Sequence, residues 1–410
     1  MQYRKNGIAS SLSKMNLDKL DSAKHAKYME VAAKEKAVVT EPLVSAVIVA
    51  VLLEFLVGYN IGVMNASESV VFPGHTITEW TAAVSVFAIG GAFGTILGNM
   101  VSDKNGRRAA IGVSTWLYIG GGVLFALAPN VVWLIQARFV VGIACGFSYG
   151  IVPIYLGEIA PPTLRSTLGT MAQFALVIGI LASNLIAFPL STTKGWRYMF
   201  ALIPMIAAVN LVYLPLLSES PRWLLSKDRY SMQVEVAIKN LGGVRSKEDV
   251  QIEIQHILAS DAHRTFCASA YSKDTVMDLF SDSRQRPLVI SFVVLHAAQQ
   301  LSGISAIFYY SNSFFEGTIN NPLVGTALVG AINVLAAYVT LKVMNTTGRV
   351  SLILWSIVGM LASTVVVTLA LLGYLPNLIV VFGVMSFVFC FEIGLGPIPW
   401  LIVSEMFDAR

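Results

Sequence analysis

Ten runs of about twenty residues, nearly free of charge, divide this chain, and each is long enough to cross a hydrocarbon core of about 30 Å as a helix. They lie at 43–65, 80–101, 109–128, 131–155, 168–190, 198–217, 288–311, 322–343, 351–373 and 376–403. Their Gly, Ala and Ser suit close helix–helix contact in lipid. The short alternating strands of a membrane β-barrel are not visible. Only 13% of the residues are charged, against about 25% in an ordinary soluble domain, and the mean hydropathy is +0.69. The expected fold class is an all-α polytopic membrane protein.

Charge outside the runs sets the expected sidedness. Residues 1–42 are polar and basic, and no short apolar segment with a cleavage site precedes the first run, so no cleaved signal peptide is expected. Lys and Arg concentrate in "SDKNGRR", at Arg165 and in 218–287, whereas the loops after spans 1, 3, 7 and 9 have none. The positive-inside rule therefore puts the N-terminal tail and these basic segments in the cytosol. The expected organisation is a tail (1–42), a six-span bundle (43–217), a cytosolic helical loop (218–287) and a four-span bundle (288–410). Within the loop, "SKEDVQIEIQHIL" reads as an amphipathic helix, with Ser246 and Asp249 as cap and Val250, Ile254, Ile257 and Leu258 as the apolar stripe. Of the three cysteines, Cys145 and Cys390 lie within spans, and buried thiols are the simplest reading.

The two bundles echo one another. "DKNGRR" after span 2 answers "NTTGR" after span 8, and "PIYLGEIAPPTLR" answers "PIPWLIVSEMFDAR". A duplicated bundle places a solute site near the midplane, between halves. The second copy is two spans short, so a truncated twelve-span protein is expected.

Away from their ends the runs carry four ionisable groups, Glu54, Arg138, His296 and Glu392. A charge at mid-membrane costs about 2.5–3.5 kcal/mol on insertion scales, so each should face protein or water. Span 7, "LHAAQQLSGISAIFYYS", is wet and amide-lined, and Gly303 weakens it enough to bend. Such a helix fits a neutral polyhydroxyl ligand, whose hydroxyls need donors and acceptors. His296, one turn before the glutamines, reads as a satisfied or water-facing histidine. Asn65-Ala66-Ser67 is a glycosylation sequon that overlaps the end of span 1 and is expected to be poorly used.

"GYNIGVMNA", "GNMVSDKNGRR", "RFVVGIACGFSYGIVPIYLGEIAPPTLR", "SESPRWLL", "QQLSGISAIFYYS" and "GPIPWLIVSEMF" stand in one register from span 1 to the end of span 10. Together they resemble the sugar porter family of the major facilitator superfamily, and within it the facilitative glucose (hexose) transporters. The resemblance implies two pseudo-symmetric helical bundles, with ten of twelve spans present. It implies sugar contacts at Gln173, Gln299, Gln300, Ser305, Asn333, Glu392 and Trp400, with Tyr309 and Tyr310 as a gate. The alternative for such amides is glue between helices. Ser305 departs from the family motif, which ends there in Asn, so one sugar contact is expected to be missing or water-mediated. The resemblance also implies an intracellular salt-bridge network latching the halves, at Asp103, Arg107, Arg108, Glu158, Arg165, Glu219, Arg222, Arg349 and Glu405. Its second-half copy is weakened, with Asn345 for the usual acid and Val350 for the second arginine.

Proton-coupled relatives carry Asp where this chain has Asn60, linked to an arginine matching Arg138. An amide cannot titrate, so the expected function is facilitated diffusion of a hexose, glucose first, across the plasma membrane. Two alternatives stay open: proton-coupled symport, with Glu54 or His296 as the acid or base, and a non-transporting sugar sensor. No metal cluster, nucleophile–base pair or phosphate loop points to an enzyme, a cofactor or a nucleic-acid partner. The expected partners are a small sugar and the lipid bilayer.

Overall fold

The computed structural model describes residues 40–161, 164–228, 232–242, 250–251, 253–255, 257–258, 286–344 and 347–399. Its first half contains α1 (Glu41–Ser67), α2 (Ile77–Asn105), α3 (Arg107–Ala126), α4 (Val131–Ile159), α5 (Arg165–Leu190) and α6 (Trp196–Tyr213). Two short helices follow, α7 (Pro221–Lys227) and α8 (Met232–Gly242). The second half contains α9 (Arg286–Leu301), α10 (Ile304–Phe315), α11 (Pro322–Val343), α12 (Arg349–Leu371) and α13 (Leu378–Ile393). With α9 and α10 taken together, nine segments among the described residues are long and apolar enough to span a membrane, and α13 is a shorter apolar helix.

The expected spans match these helices to within a few residues, apart from two breaks. Span 7 stops at Leu301 and restarts at Ile304, with Gly303 between them in a left-handed conformation (φ 89°). A side chain would be strained at that φ, so glycine is what permits the kink. The last span ends as a helix at Ile393 and continues as turns over 394–397 before residues 398–399 resume the helix.

Helix caps are set by the sequence at several starts. Thr76 accepts from Glu79 N–H while the Glu79 carboxylate accepts from Thr76 N–H, which closes both ends of a capping box. Asn130 caps α4 through Trp133 N–H. In α2 the buried positions Ala83, Phe87, Gly90, Gly94 and Gly98 recur at helical spacing. That stripe lies on α4: a methyl group on Gly94 would overlap the Ile143 carbonyl, and one on Gly146 the Gly91 carbonyl. The opposite face of α2 exposes Ile89, Phe93, Ile96 and Met100. An apolar face left outward on an apolar helix is the surface a bilayer would cover.

One large core cluster fills the first half, centred on α1, and a smaller one ties α11, α12 and α13. A third lies under α7 and α8, where Leu224, Leu225, Val234 and Ile238 meet Val250 and Ile257, with Ile254 and Leu258 against them. The stripe read from "VQIEIQHIL" thus packs as one face, whereas Ser246 and Asp249 lie outside the described residues. Where the halves meet, α5 lies along α11 and α1 along α10.

Candidate functional site

Four groups of polar residues stand out, two buried within the first half or between the halves and one at each end of the helices. The first surrounds Arg138, which α4 carries into the core of the first half with no solvent exposure. Its Nη2 donates to the Asn60 backbone carbonyl at 2.8 Å, and Nη1 lies 3.5 Å from the Asn60 side-chain oxygen. The guanidinium also sits over the Phe87 ring, 4.1 Å from its centroid. Stacking of this kind offsets part of the cost of burying a cation. The Asn60 amide nitrogen turns the other way and donates to the Leu56 carbonyl at 2.8 Å. Glu54, on the same helix, is buried and its Oε1 has no hydrogen-bond partner.

The second group carries most of the expected sugar contacts. Gln173 of α5 donates through Nε2 to Glu392 Oε1 of α13 at 3.3 Å, a direct contact between the halves. Gln299 is buried and donates to the carbonyls of Leu395 (2.9 Å) and Gly396 (2.7 Å), in the turns that follow α13. Its Oε1 remains unpartnered, as does Oδ1 of the buried Asn333 on α11. Thr340 Oγ1 donates to the Glu392 carbonyl at 2.9 Å. Ser305 is half-buried at the start of α10, and Gln300 is exposed. Tyr309 and Tyr310 pack from α10 against the core of the first half. Trp400 lies outside the described residues. Glu392 and Gln173 are therefore brought together, Gln299 is committed to the broken span, and Gln300 is exposed.

The third group is at the basic end. Arg107 makes a two-toothed pair with Glu158 (2.9 Å for both contacts) and a further pair with Asp103 at 3.1 Å. Glu219 accepts from the backbone N–H groups of Arg107 (2.9 Å) and Arg108 (3.2 Å), capping α3 from a distant segment. An anion suits the unpaired N–H groups of a helix start. Burial pushes the Glu219 carboxyl above its ordinary value despite those donors. Gly106 (φ 100°) leaves room there, since a methyl group on it would meet the Glu219 carboxylate. All these contacts lie within the first half and the segment that directly follows it. Arg222 is on α7 and Arg349 begins α12; the side chain of Arg165, and Glu405, lie outside the described residues.

The fourth group is at the opposite end and was not assigned a role from sequence. Asn65 donates to Ser311 Oγ at 2.6 Å and accepts from Asn312 N–H at 3.0 Å, so both faces of its amide are used by α10. Ser311 continues to Thr326 at 3.2 Å, Asn184 reaches the Thr326 carbonyl at 3.3 Å, and Ser313 donates to Glu68 at 3.0 Å. These contacts pin α1 and α5 to α10 and α11. The sequence signal was the amide itself, in an apolar run. Asn65 and Ser67 of the sequon are both buried.

The family model described as "sugar (and other) transporter" matches residues 46–410. The chain belongs to the sugar transporter family. Facilitated glucose transporter member 3 of solute carrier family 2 is 32% identical in Ovis aries and 33% in Homo sapiens, each match covering 90% of this chain and 78% of the relative. The partially occluded inward-open xylose transporter XylE from E. coli is similar in structure, with a TM-score of 0.75, 25% identity, and 90% of this chain and 88% of that one covered. The proton:xylose symporter XylE bound to 6-bromo-6-deoxy-D-glucose gives 0.74 and 25%, over 90% of this chain and 83% of that one. Membership of the sugar transporter family makes this an integral membrane transporter rather than an enzyme, with the all-α fold of the major facilitator superfamily.

Proposed function

We propose that the protein carries a hexose, glucose first, by facilitated diffusion, with its two halves rocking about a midplane site. The observation that carries this reading is the neutral amide of Asn60 against Arg138. A carrier coupled to protons needs a group there that changes charge, and an amide does not. The proposed sugar contacts are Gln173, Gln299, Gln300, Ser305, Asn333, Glu392 and Trp400, with Tyr309 and Tyr310 as gate. Unspent acceptors on Gln299 and Asn333 favour a ligand rich in hydroxyl donors.

The proposed orientation puts the Arg107 end in the cytosol and the Asn65 end outside, in the plasma membrane, with the six-span and four-span bundles as the moving bodies. The contacts of Asn65, Glu68 and Asn184 then close the outer side, and sugar exchanges with the cytosol. Opening the outer side requires those bonds to break while others form at the basic end. Uptake of labelled glucose by transporter-deficient cells tests this reading, using the full-length protein. Gln173→Ala and Glu392→Gln should raise the apparent KM about tenfold, from loss of one or two hydrogen bonds. No uptake by the wild type, with correct surface delivery, would instead favour a sensor.

Proton symport has in its favour the buried Glu54 carboxyl without a hydrogen bond at Oε1 and the likeness to a proton:xylose symporter. Glu54→Gln should leave transport and its pH profile unchanged under the uniport reading.

A further inference from the structure

An apolar surface runs down the outside of α6 toward the basic end. Met205, Val209, Val212 and Leu216 are exposed at spacings of three and four residues, one stripe along the helix and the 3-10 turn that follows it (Leu214–Leu216). On a membrane span such a stripe is the face that lipid covers. The stripe does not stop where the span stops. Leu216 lines a cleft of about 470 Å³ together with Met232 and Val236, which are 80% and 52% exposed on α8. Val234, Ala237 and Ile238 already turn the other side of α8 into the core beneath α7. Met232 and Val236 therefore form a second apolar face, which that packing does not use and which continues the lipid-facing stripe. A short helix with apolar side chains outward at the level of the headgroups is suited to lie in the membrane interface.

The same cleft has a cation at its rim. Arg108 lines it, and Arg108 N–H bonds to Glu219, whereas the guanidinium makes no hydrogen bond or ion pair among the described residues. The pairing expected of both arginines is thus made by Arg107 alone, with Glu158 and Asp103. Glu219 is the one carboxylate among the described lining residues, and its oxygens accept from the N–H groups of Arg107, Arg108 and Ser220. Asn240 adds an amide to the lining, and its neighbour Lys239 is exposed on α8. An unspent guanidinium suits a phosphate, whose oxygens it can bind in pairs. A phosphate group joined to apolar chains matches both parts of the cleft at once, and basic pockets at the cytosolic side of helical bundles attract anionic headgroups.

We propose that this cleft holds an anionic phospholipid of the cytosolic leaflet, with its phosphate at Arg108 and an acyl chain along Val236, Met232 and Leu216. The choice of leaflet rests on the orientation proposed above, whereas binding itself rests on the cleft and the stripe. Purified full-chain protein in detergent is titrated with dioctanoylphosphatidylglycerol, dioctanoylphosphatidylcholine or glycerol 3-phosphate, and bound molecules are counted by native mass spectrometry. Detergent solution has no sidedness, so this result holds or fails independently of the orientation. One phosphatidylglycerol should bind saturably, the phosphatidylcholine about tenfold more weakly, and glycerol 3-phosphate not at all. Arg108→Gln should remove the preference for the anionic lipid. Val236→Asp should weaken both lipids about tenfold. Both positions are exposed, and the two variants act on opposite ends of the ligand. Equal affinity for the two lipids, binding in both variants like that of wild type, or glycerol 3-phosphate bound as tightly as the lipid would overturn the proposal.

Discussion

Arg138 donates from Nη2 to the backbone carbonyl of Asn60 at 2.8 Å, and its Nη1 is 3.5 Å from the same residue's side-chain oxygen. The cation is thus held by a carbonyl and an amide in the core of the first half. Asn60→Asp changes the contact on both sides. An ionised carboxylate suits Arg138 but faces the Leu56 carbonyl, which now takes a hydrogen bond from the amide. Only the protonated acid can replace that donor. Hexose exchange by Asn60→Asp should therefore depend on pH between about 5 and 8, where wild type is flat, and fall about tenfold at the slower extreme. A flat profile for the variant would show that the contact does not limit transport.

Arg138→Lys keeps the charge and loses the planar group that lies over Phe87 and reaches Asn60 twice. The thermal midpoint of the purified protein should fall by several degrees, corresponding to about 1–3 kcal/mol. A midpoint within about one degree of wild type would mean the ring and carbonyl contacts contribute little.

At the closed end, Asn65→Ala removes both hydrogen bonds to α10. Each is worth about 0.5–1.5 kcal/mol, so the closed-to-open ratio should shift about 5- to 150-fold toward open. Spin labels at Val70 and Leu323, which lie near one another at this end on the two halves, should show a new, longer distance. An unchanged distribution would assign closure to the apolar contacts of α5 with α11 instead.

Glu219 makes the basic end sensitive to acid. Burial raises its carboxyl in the folded state, so the folded protein binds a proton before the unfolded chain does. Its contribution therefore favours the folded state more as pH falls from neutral through the folded value. Below the unfolded value that gain is complete. Glu219→Gln should flatten this part of the stability–pH curve in thermal melts, and an unchanged curve would remove Glu219 as its source.

Much of the fold was legible because lipid imposes a simple rule, a charge-free run of about twenty residues for each crossing. The kink at Gly303 was legible for the same local reason, since glycine weakens a helix where it stands. The end of α13 at Ile393 was not, although "GLGPIP" follows it, because the hydrophobic run continues past the break. The family resemblance gave Gln173 and Glu392 only as separate sugar contacts; their hydrogen bond to one another, between residues 219 apart, shows only in the structure. Asn65 and Ser311, separated by 246 residues, showed in sequence only as polar residues in apolar runs. Pairings between halves depend on how the bundles meet, and neither hydropathy nor helical period encodes that.

Facilitated diffusion is carriage of hexose without a coupled ion. Liposomes containing the purified full-length protein, loaded with equal labelled glucose inside and out and given a pH gradient, test it most directly. Facilitated diffusion should give rapid exchange, no net sugar movement, and no sugar-dependent change in internal pH. Accumulation of glucose above the outside concentration, driven by the gradient, would contradict it.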